Sequence, residues 1–173
     1  MKFLAAIIFI LSFPLSFLIF LILKIFGKGP AIFKQIRIGK DKKEFIIYKF
    51  RTMTNNKVTF FGKILRKLGL DELPQLLNII KGEMAFVGPR PLTQFDIDRL
   101  EWNDKRYIDR WSVKPGITGQ AQLITICDKN LSIKEDLEYI KNKSVSLDIK
   151  IILKSIIIPI IGKRKMKKNE STS

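Results

Sequence analysis

Two adjacent acids, Asp71 and Glu72, lie in the stretch GLDELPQLLNIIKGEM, between two apolar runs. The chain has no histidine and one cysteine, Cys127. Ser-His and Cys-His catalytic pairs are therefore excluded, as are zinc sites built from histidine and cysteine. An acid, base or nucleophile must come from Asp, Glu, Lys, Ser, Tyr or that one thiol. A carboxylate can act as a nucleophile on phosphorus, forming an acyl phosphate, or can hold a divalent cation.

The same pair also has a purely structural interpretation. Aspartate is a preferred N-cap residue, and an acid in the first turn is favoured by the helix dipole. With Asp71 as the cap of a helix over DELPQLLNIIKG, Pro74 falls in the first turn, where proline is tolerated. On this interpretation the two acids begin a helix and do no chemistry.

Groups that bind phosphate favour the chemical interpretation. Arg66 precedes the pair, and GPRPL holds Arg90 between two prolines that restrict its backbone. The turn KPGITGQ offers Lys114 and Thr118. Guanidinium forks, ammonium groups and backbone amides beside glycine are typical of phosphate sites. Each of these loops taken alone is equally typical of an ordinary turn.

The charge balance indicates a polyanionic partner. Lys and Arg total 32 against 16 Asp and Glu, a formal charge of +16. Anionic lipid, a phosphorylated substrate and nucleic acid all fit that charge. Basic clusters follow apolar elements, which predicts a domain seated on an anionic membrane surface, although a single run is typical of a solvated face. No nucleic-acid motif is present, so no nucleic-acid partner is expected. Cys127 is expected to be an inert small residue in a reducing compartment.

The N-terminus is apolar and uncharged between Lys2 and Lys24. Phe3–Leu23 is long enough to cross a bilayer core of about 30 Å. A cleaved signal peptide is an alternative, but no small-residue cleavage motif follows, and the basic exit predicts a retained anchor with a cytoplasmic C-terminal side. Pro14 predicts a kink or break, with Ser12 available to bond freed carbonyls. Composition favours a kinked spanning helix over a re-entrant helix-break-helix.

The remaining patterns predict an α+β domain that is mostly helical. Residues 30–40 and 44–53 read as two strands of a hairpin, and residues 84–88 as a short buried strand. Helices are predicted over 59–69, 71–82, 93–111 and 132–142, with Gly69 and Gly82 ending the first two. Residues 112–123 read as a Gly/Pro loop, and 146–161 as an interfacial amphipathic helix followed by a basic tail.

The order of these motifs resembles the bacterial sugar transferases, which are small monotopic phosphoglycosyl transferases. The matching text is KGPAIFKQIRIGK, EFIIYKFRTM, LRKLGLDELPQLLNIIKGEMAFVGPRPL, VKPGITGQAQ and LDIKIILKS. The resemblance runs from the membrane segment to about Lys163, and its most specific part is Arg66–Leu92. It implies a re-entrant first segment, broken near Pro14, with both ends cytoplasmic. The implied division is a membrane segment over 1–26, a catalytic domain over 27–163 and a basic tail over 164–173.

The resemblance also implies an activity. Members move a sugar-1-phosphate from a UDP-sugar to polyprenyl (undecaprenyl) phosphate and release UMP, at the cytoplasmic face of the bacterial inner membrane. The family's Asp-Glu dyad falls on Asp71 and Glu72. The aspartate attacks the β-phosphate to give a covalent phosphosugar intermediate. Mg²⁺ is required, with the dyad as its expected ligands, and the glutamate is associated with the metal or with acid/base work. Basic family positions expected to bind phosphate fall on Lys49, Arg51, Arg66 and Arg90.

Three departures from the family pattern affect the expected substrate contacts. TNNKV is a short connection, Gln120 stands where tryptophan is usual, and LITICDKN lacks the arginine of an Asn-Gly-Arg segment. An altered sugar preference or weakened activity is therefore expected. The competing hypothesis is a non-catalytic scaffold whose basic face binds anionic lipid. Neither the sugar nor the pathway is identified, and both a monomer and a homodimer remain open.

Overall fold

The computed structural model describes residues 1–27, 29–124 and 128–161, with the backbone alone over 159–161. Its contacts define two compact units. The first unit comprises Met1–Arg37 and Glu44–Met84, and the second comprises Ile38–Lys43 and Ala85–Ser173. These units do not follow the expected boundary after residue 26, and the three-part division stays a prediction. Cys127 and the basic tail over 164–173 lie outside the described residues.

The N-terminal segment forms one helix, α1, over Lys2–Phe26. Its mean hydropathy reaches 2.8 over an 18-residue window, so it is a candidate membrane segment by length and composition. Pro14 lies inside the helix, and the Ser12 hydroxyl donates a hydrogen bond to the Phe9 carbonyl at 3.2 Å. The helix therefore continues where the sequence predicted a break, because proline removes one donor but its φ suits a helix. The re-entrant topology itself stays a prediction.

The predicted hairpin of the first unit is confirmed. Strands β1 (Ile32–Ile38) and β2 (Glu44–Phe50) pair in a two-stranded sheet. A 3-10 turn, η1 (Lys40–Lys42), joins them along the chain. A second, smaller hairpin follows, with β3 (Met53–Thr54) antiparallel to β4 (Lys57–Val58). The residues between β3 and β4, Asn55 and Asn56, both have positive φ, which suits a tight two-residue hairpin turn.

The helix predicted after this hairpin is also confirmed. Helix α2 covers Phe60–Leu68. The Thr59 hydroxyl accepts a hydrogen bond from the Gly62 amide at 2.9 Å and so caps its first turn. Gly69, at φ 68°, ends the helix in the left-handed conformation that glycine adopts most readily.

The dyad segment differs from the predicted α-helix. Leu70–Gln75 is a 3-10 helix, η2, and only Leu76–Lys81 is α-helical, as α3. Asp71 lies in the first turn of η2, and the N-cap is Gly69, with no side-chain cap. The prediction that Asp71 caps the helix is therefore wrong. Gly69 both ends α2 and begins η2, so no linker remains in which Asp71 could act as the cap.

An apolar core joins α1 to the dyad segment within the first unit. Ile19 and Leu23 of α1 are buried with Phe50 and Leu65, and Leu73 of η2 packs against this group. Burying such side chains stabilises the packing of each element by roughly 1.5–3 kcal/mol per residue. The candidate membrane helix is therefore part of the scaffold that holds η2.

The second unit is built around a small parallel pair of strands. Its elements are β5 (Ala85–Val87), α4 (Gln94–Leu100), η3 (Lys105–Trp111), β6 (Gly116–Thr118), α5 (Gln120–Leu123), α6 (Lys129–Lys141) and α7 (Val145–Ile161). β5 pairs in parallel with β6. The strand predicted at β5 and the helices predicted at α6 and α7 are confirmed.

Two predictions for the second unit are wrong. Residues 93–111 are not one helix, because Glu101 adopts a left-handed φ of 61° and Asp104 caps η3 by accepting from the Arg106 amide at 2.8 Å. Residues 112–123 are not all loop, since they contain β6 and α5. The strand requires Gly116, because an added Cβ would collide with the Gly88 backbone.

Candidate active site

The dyad lies on η2, and its two side chains have different surroundings. Both residues are half-buried. In a 3-10 helix consecutive side chains point about 120° apart. The Lys49 ammonium on β2 donates to Glu72 Oε1 at 2.6 Å, and the two side chains are 19% and 25% exposed. A charge-assisted bond shielded from water in this way holds Glu72 and leaves Asp71 to point elsewhere.

The environment raises the pKa of the Asp71 carboxyl above its ordinary value. Burial is the largest cause, and the neighbouring Glu72 charge acts in the same direction. The Lys49 charge, the Asp71 backbone amide and the Arg66 charge oppose the shift. A carboxylate with a raised pKa is a stronger base, and therefore a better nucleophile once ionised, than an ordinary aspartate.

Arg66 is oriented by a hydrogen bond to Thr52, which follows β2 in the chain. Its Nε donates to the Thr52 hydroxyl at 2.9 Å. Thr52 is buried, and its carbonyl accepts from the Thr59 amide at 3.0 Å. This hydrogen bond uses only Nε. Arg66 is otherwise exposed, so its two terminal guanidinium nitrogens remain able to contact a phosphate. The structure thus brings together Asp71, Glu72, Lys49 and Arg66 of the predicted set.

Arg51 lies at the end of α1. An added Cβ at Gly27 or at Gly29 would collide with its guanidinium nitrogens, so the arginine packs directly on this glycine-rich backbone. Arg51 also lines a pocket of about 340 Å³ together with Leu23, Phe26 and other residues of the first unit. The predicted phosphate-binding role of Arg51 therefore falls beside the end of the membrane segment.

Three predicted residues belong to the second unit. Arg90 and Lys114 are exposed. The Thr118 hydroxyl shares a short hydrogen bond with the Ser155 hydroxyl of α7, and the Thr118 carbonyl accepts from the Gly88 amide at 2.9 Å. Thr118 therefore links β6 to α7. Phosphate binding by these three residues stays a prediction.

The sequence reasoning missed the residue that holds the Arg90 loop. Arg110 Nη2 donates to the Arg90 carbonyl at 2.8 Å, and its Nε donates to Asp136 at 3.0 Å. The guanidinium also lies 5.0 Å from the Trp102 ring and 4.8 Å from the Trp111 ring. Burial raises the pKa of Asp136 to about 6, against the opposing Arg110 charge. An arginine beside a tryptophan in DRW was the available signal.

A second missed residue is Asn78, which is 0% exposed. Its Oδ1 accepts from the Tyr48 amide at 3.2 Å, and its Nδ2 donates at 2.7 Å to both the Ile46 carbonyl and Glu83. It therefore joins α3, which follows the dyad, to the strand that carries Lys49. The signal was a single amide within the apolar run LLNII.

The two carboxylates suit a magnesium ion only together with other ligands. Across residues 1–27, 29–124 and 128–161, no group of three or more His, Cys, Asp or Glu side chains could hold a metal. Mg²⁺ commonly binds one or two carboxylates, with substrate phosphates and water completing its octahedron. The dyad supplies carboxylates of the type and number that Mg²⁺ takes in such sites, so the residues present fit the expected ion by their chemistry.

Comparison with known proteins gives the family. The family model described as "Bacterial sugar transferase" matches residues 2–162. The chain belongs to this family. Its similarity covers α1, the dyad segment and the second unit, so both units belong to the family architecture.

Several curated relatives of this bacterial sugar transferase chain carry activity names. It is 39% identical to the UDP-N-acetylgalactosamine-undecaprenyl-phosphate N-acetylgalactosaminephosphotransferase of Aeromonas hydrophila, over 94% of this chain and 43% of the relative. It is 37% identical to the UDP-glucose:undecaprenyl-phosphate glucose-1-phosphate transferase of Klebsiella pneumoniae, over 92% of this chain and 39% of the relative. It is 41% identical to the uncharacterized sugar transferase EpsL of Bacillus subtilis, over 72% of this chain and 67% of the relative. The chain spans about two fifths of the length of the first two relatives.

Proposed function

We propose that this chain transfers a sugar-1-phosphate from a UDP-sugar to a polyprenyl phosphate and releases UMP. The observation that carries the proposal is the Lys49–Glu72 pair beside Asp71, on a segment packed against the candidate membrane helix. The printed activities of the Aeromonas and Klebsiella relatives support this reaction class. With the C-terminal end of α1 on the cytoplasmic side, as its basic exit predicts, the reaction takes place at the inner face of the bacterial inner membrane.

In the first step an Asp71 carboxylate oxygen attacks the β-phosphorus of the UDP-sugar. The bond between that phosphorus and the oxygen bridging to the α-phosphate breaks, and UMP leaves with the bonding electrons. The product is a phosphosugar attached to Asp71 as an acyl phosphate. No base is needed to activate the nucleophile, because a carboxylate is already ionised above its pKa.

In the second step a phosphate oxygen of the polyprenyl phosphate attacks the same phosphorus. The Asp71 carboxylate is the leaving group, so the enzyme is regenerated and the polyprenyl-diphosphate-sugar is released. Arg66 and Lys49 reduce the negative charge around the reacting phosphorus, which is the main task in phosphoryl transfer. A magnesium ion held by Asp71 and Glu72 would supply further neutralisation of phosphate charge.

UMP release from a panel of UDP-sugars, with undecaprenyl phosphate in detergent, tests the proposal. We expect Asp71→Asn to lose UMP release, and Asp41→Asn, an exposed acid on η1, to retain it. Incubation with a UDP-sugar labelled in the sugar, without polyprenyl phosphate, should label wild-type protein at Asp71. Full activity of Asp71→Asn across the panel would refute Asp71 as the nucleophile, whereas no UMP release by the wild-type protein with any UDP-sugar would favour the non-catalytic scaffold.

A further inference from the structure

The first unit has a second cleft, whose lining shares no residue with the pocket beside Arg51. Its volume is about 440 Å³. It is lined by apolar groups from α1, β1 and η2–α3, with two lysines among them: the lining includes Phe20, Lys24, Lys34, Tyr48, Pro74 and Leu77. An apolar cleft that contains ammonium groups suits a ligand with an apolar chain and an anionic head.

Tyr48, which lines the cleft, is contacted by Lys34 of the lining and by Lys81 from outside it. The Lys81 ammonium donates to the Tyr48 hydroxyl at 2.9 Å and lies 4.6 Å from the ring centroid. The Lys34 ammonium lies 5.9 Å from the same centroid. Because the hydroxyl accepts from Lys81, its own proton can be donated to an anion. Two cations around one ring repel each other, and a bound anion would relieve that repulsion.

Strand geometry separates Tyr48 from Lys49. Successive side chains of a strand point to opposite faces of the sheet. Lys49, which binds Glu72, therefore points away from the face that carries Tyr48. A phosphate bound on the Tyr48 face of the strand would therefore not be contacted by Lys49.

The cleft opens at the end of the candidate membrane helix. Lys24 lies in the last turn of α1, where the uncharged segment ends. Phe20 and Leu21, one turn earlier, are 36% and 37% exposed. With α1 in a bilayer, lysine at the end of the apolar segment lies at headgroup depth, and the exposed apolar side chains lie beside acyl chains. A lipid with an anionic headgroup is therefore the kind of ligand expected at this depth.

We propose that this cleft binds one anionic phospholipid. Lys24, Lys34 and the Tyr48 hydroxyl contact the headgroup phosphate, and the first part of an acyl chain lies against Phe20 and Leu77. The inference requires that α1 lie in a membrane and does not depend on the transfer activity.

Native mass spectrometry of the purified full chain in neutral detergent tests the site. The protein is titrated with dioctanoyl phosphatidylglycerol or dioctanoyl phosphatidylcholine, without any UDP-sugar. We expect one phosphatidylglycerol to bind in preference to phosphatidylcholine. Lys24→Gln/Lys34→Gln should bind it about thirtyfold more weakly, from the loss of two headgroup contacts. Lys141→Gln/Lys143→Gln, which removes the same charge from exposed positions, should bind as wild type does.

Three results would overturn the proposal. The first is equal binding of the two lipids by wild-type protein. The second is unchanged phosphatidylglycerol binding by Lys24→Gln/Lys34→Gln. The third is one-for-one displacement of phosphatidylglycerol by undecaprenyl phosphate, which would assign the cleft to the acceptor lipid. Because binding is measured without turnover, failure here leaves the proposed transfer activity untouched.

Discussion

Removing Arg110 should destabilise the second unit more than any ordinary surface change. Its partner Asp136 is 4% exposed and Arg110 itself 2% exposed, at an N–O distance of 3.0 Å. Arg110→Met leaves the Asp136 carboxylate buried without its counter-charge, a change that costs about 3–5 kcal/mol. For a chain of this size that cost corresponds to a melting temperature lower by roughly 6–20 °C.

The double variant Arg110→Met/Asp136→Leu separates the charge effect from packing. It removes both partners, so no buried charge is left unpaired, and it should be more stable than Arg110→Met alone. Arg106→Met is the matched control. Its pair with Asp104 is exposed, so losing it should lower the melting temperature far less than Arg110→Met does.

Tryptophan fluorescence reports this unit directly. The sequence has two tryptophans, and both Trp102 and Trp111 contact the Arg110 guanidinium. Thermal melts of full-length protein in detergent, followed at the tryptophan emission, therefore measure the transition around the pair. An Arg110→Met melting temperature within 2 °C (roughly 1 kcal/mol) of wild type would refute the reasoning. The reasoning would also be refuted if Arg110→Met/Asp136→Leu lost as much stability as Arg110→Met and Asp136→Leu lose together.

The pair also gives the wild-type unit a pH dependence. Burial raises the pKa of Asp136 in the folded chain to about 6, from an ordinary value of 3.8. The folded state then holds a proton that the unfolded state has released, so this contribution to stability is present below about pH 4 and is lost as the pH rises through about 6. The difference corresponds to about 3 kcal/mol. Melts of Asp136→Asn should lack this component.

Three further outcomes follow from the described contacts. Glu72→Gln removes a negative charge beside Asp71, so the pKa of the Asp71 carboxyl should fall. The acid limb of the pH profile of residual UMP release should therefore move to lower pH. A shift to higher pH would contradict the assigned cause. Asn78→Leu leaves the part-buried Tyr48 amide and Ile46 carbonyl of β2 without their partner, and should cost about 1–3 kcal/mol in thermal melts. Asn78→Asp, which keeps an oxygen acceptor, should be destabilised less. Gly116→Ala forces a Cβ into the β5 backbone and should cost about 1–3 kcal/mol, again by thermal melts. Wild-type stability of either variant would show that the backbone or the amide is not packed as described.

Local patterns were enough for the features that depend on neighbouring residues in the chain. The apolar run of α1, the hairpin of β1 and β2, and the glycines that end α2 and α3 all follow from periodicity and turn chemistry. The absence of histidine likewise restricted the chemistry to carboxylates before any contact was known. The motif order was specific enough to identify the family, which the match over residues 2–162 confirms.

Tertiary contacts set what no local pattern contains. Gly69 is both the C-cap of α2 and the N-cap of η2, so Asp71 lies inside the 3-10 helix and not at the predicted cap. Lys49 reached Glu72 across 23 positions of sequence, and Arg110 reached Asp136 across 26. A pKa depends on burial and on charges brought in from other elements, so the raised pKa of Asp71 could not be read from the adjacent Glu72 alone. The sequence supplied the two acids and their family; the packing of η2 against β2 and α1 gave each acid its own environment.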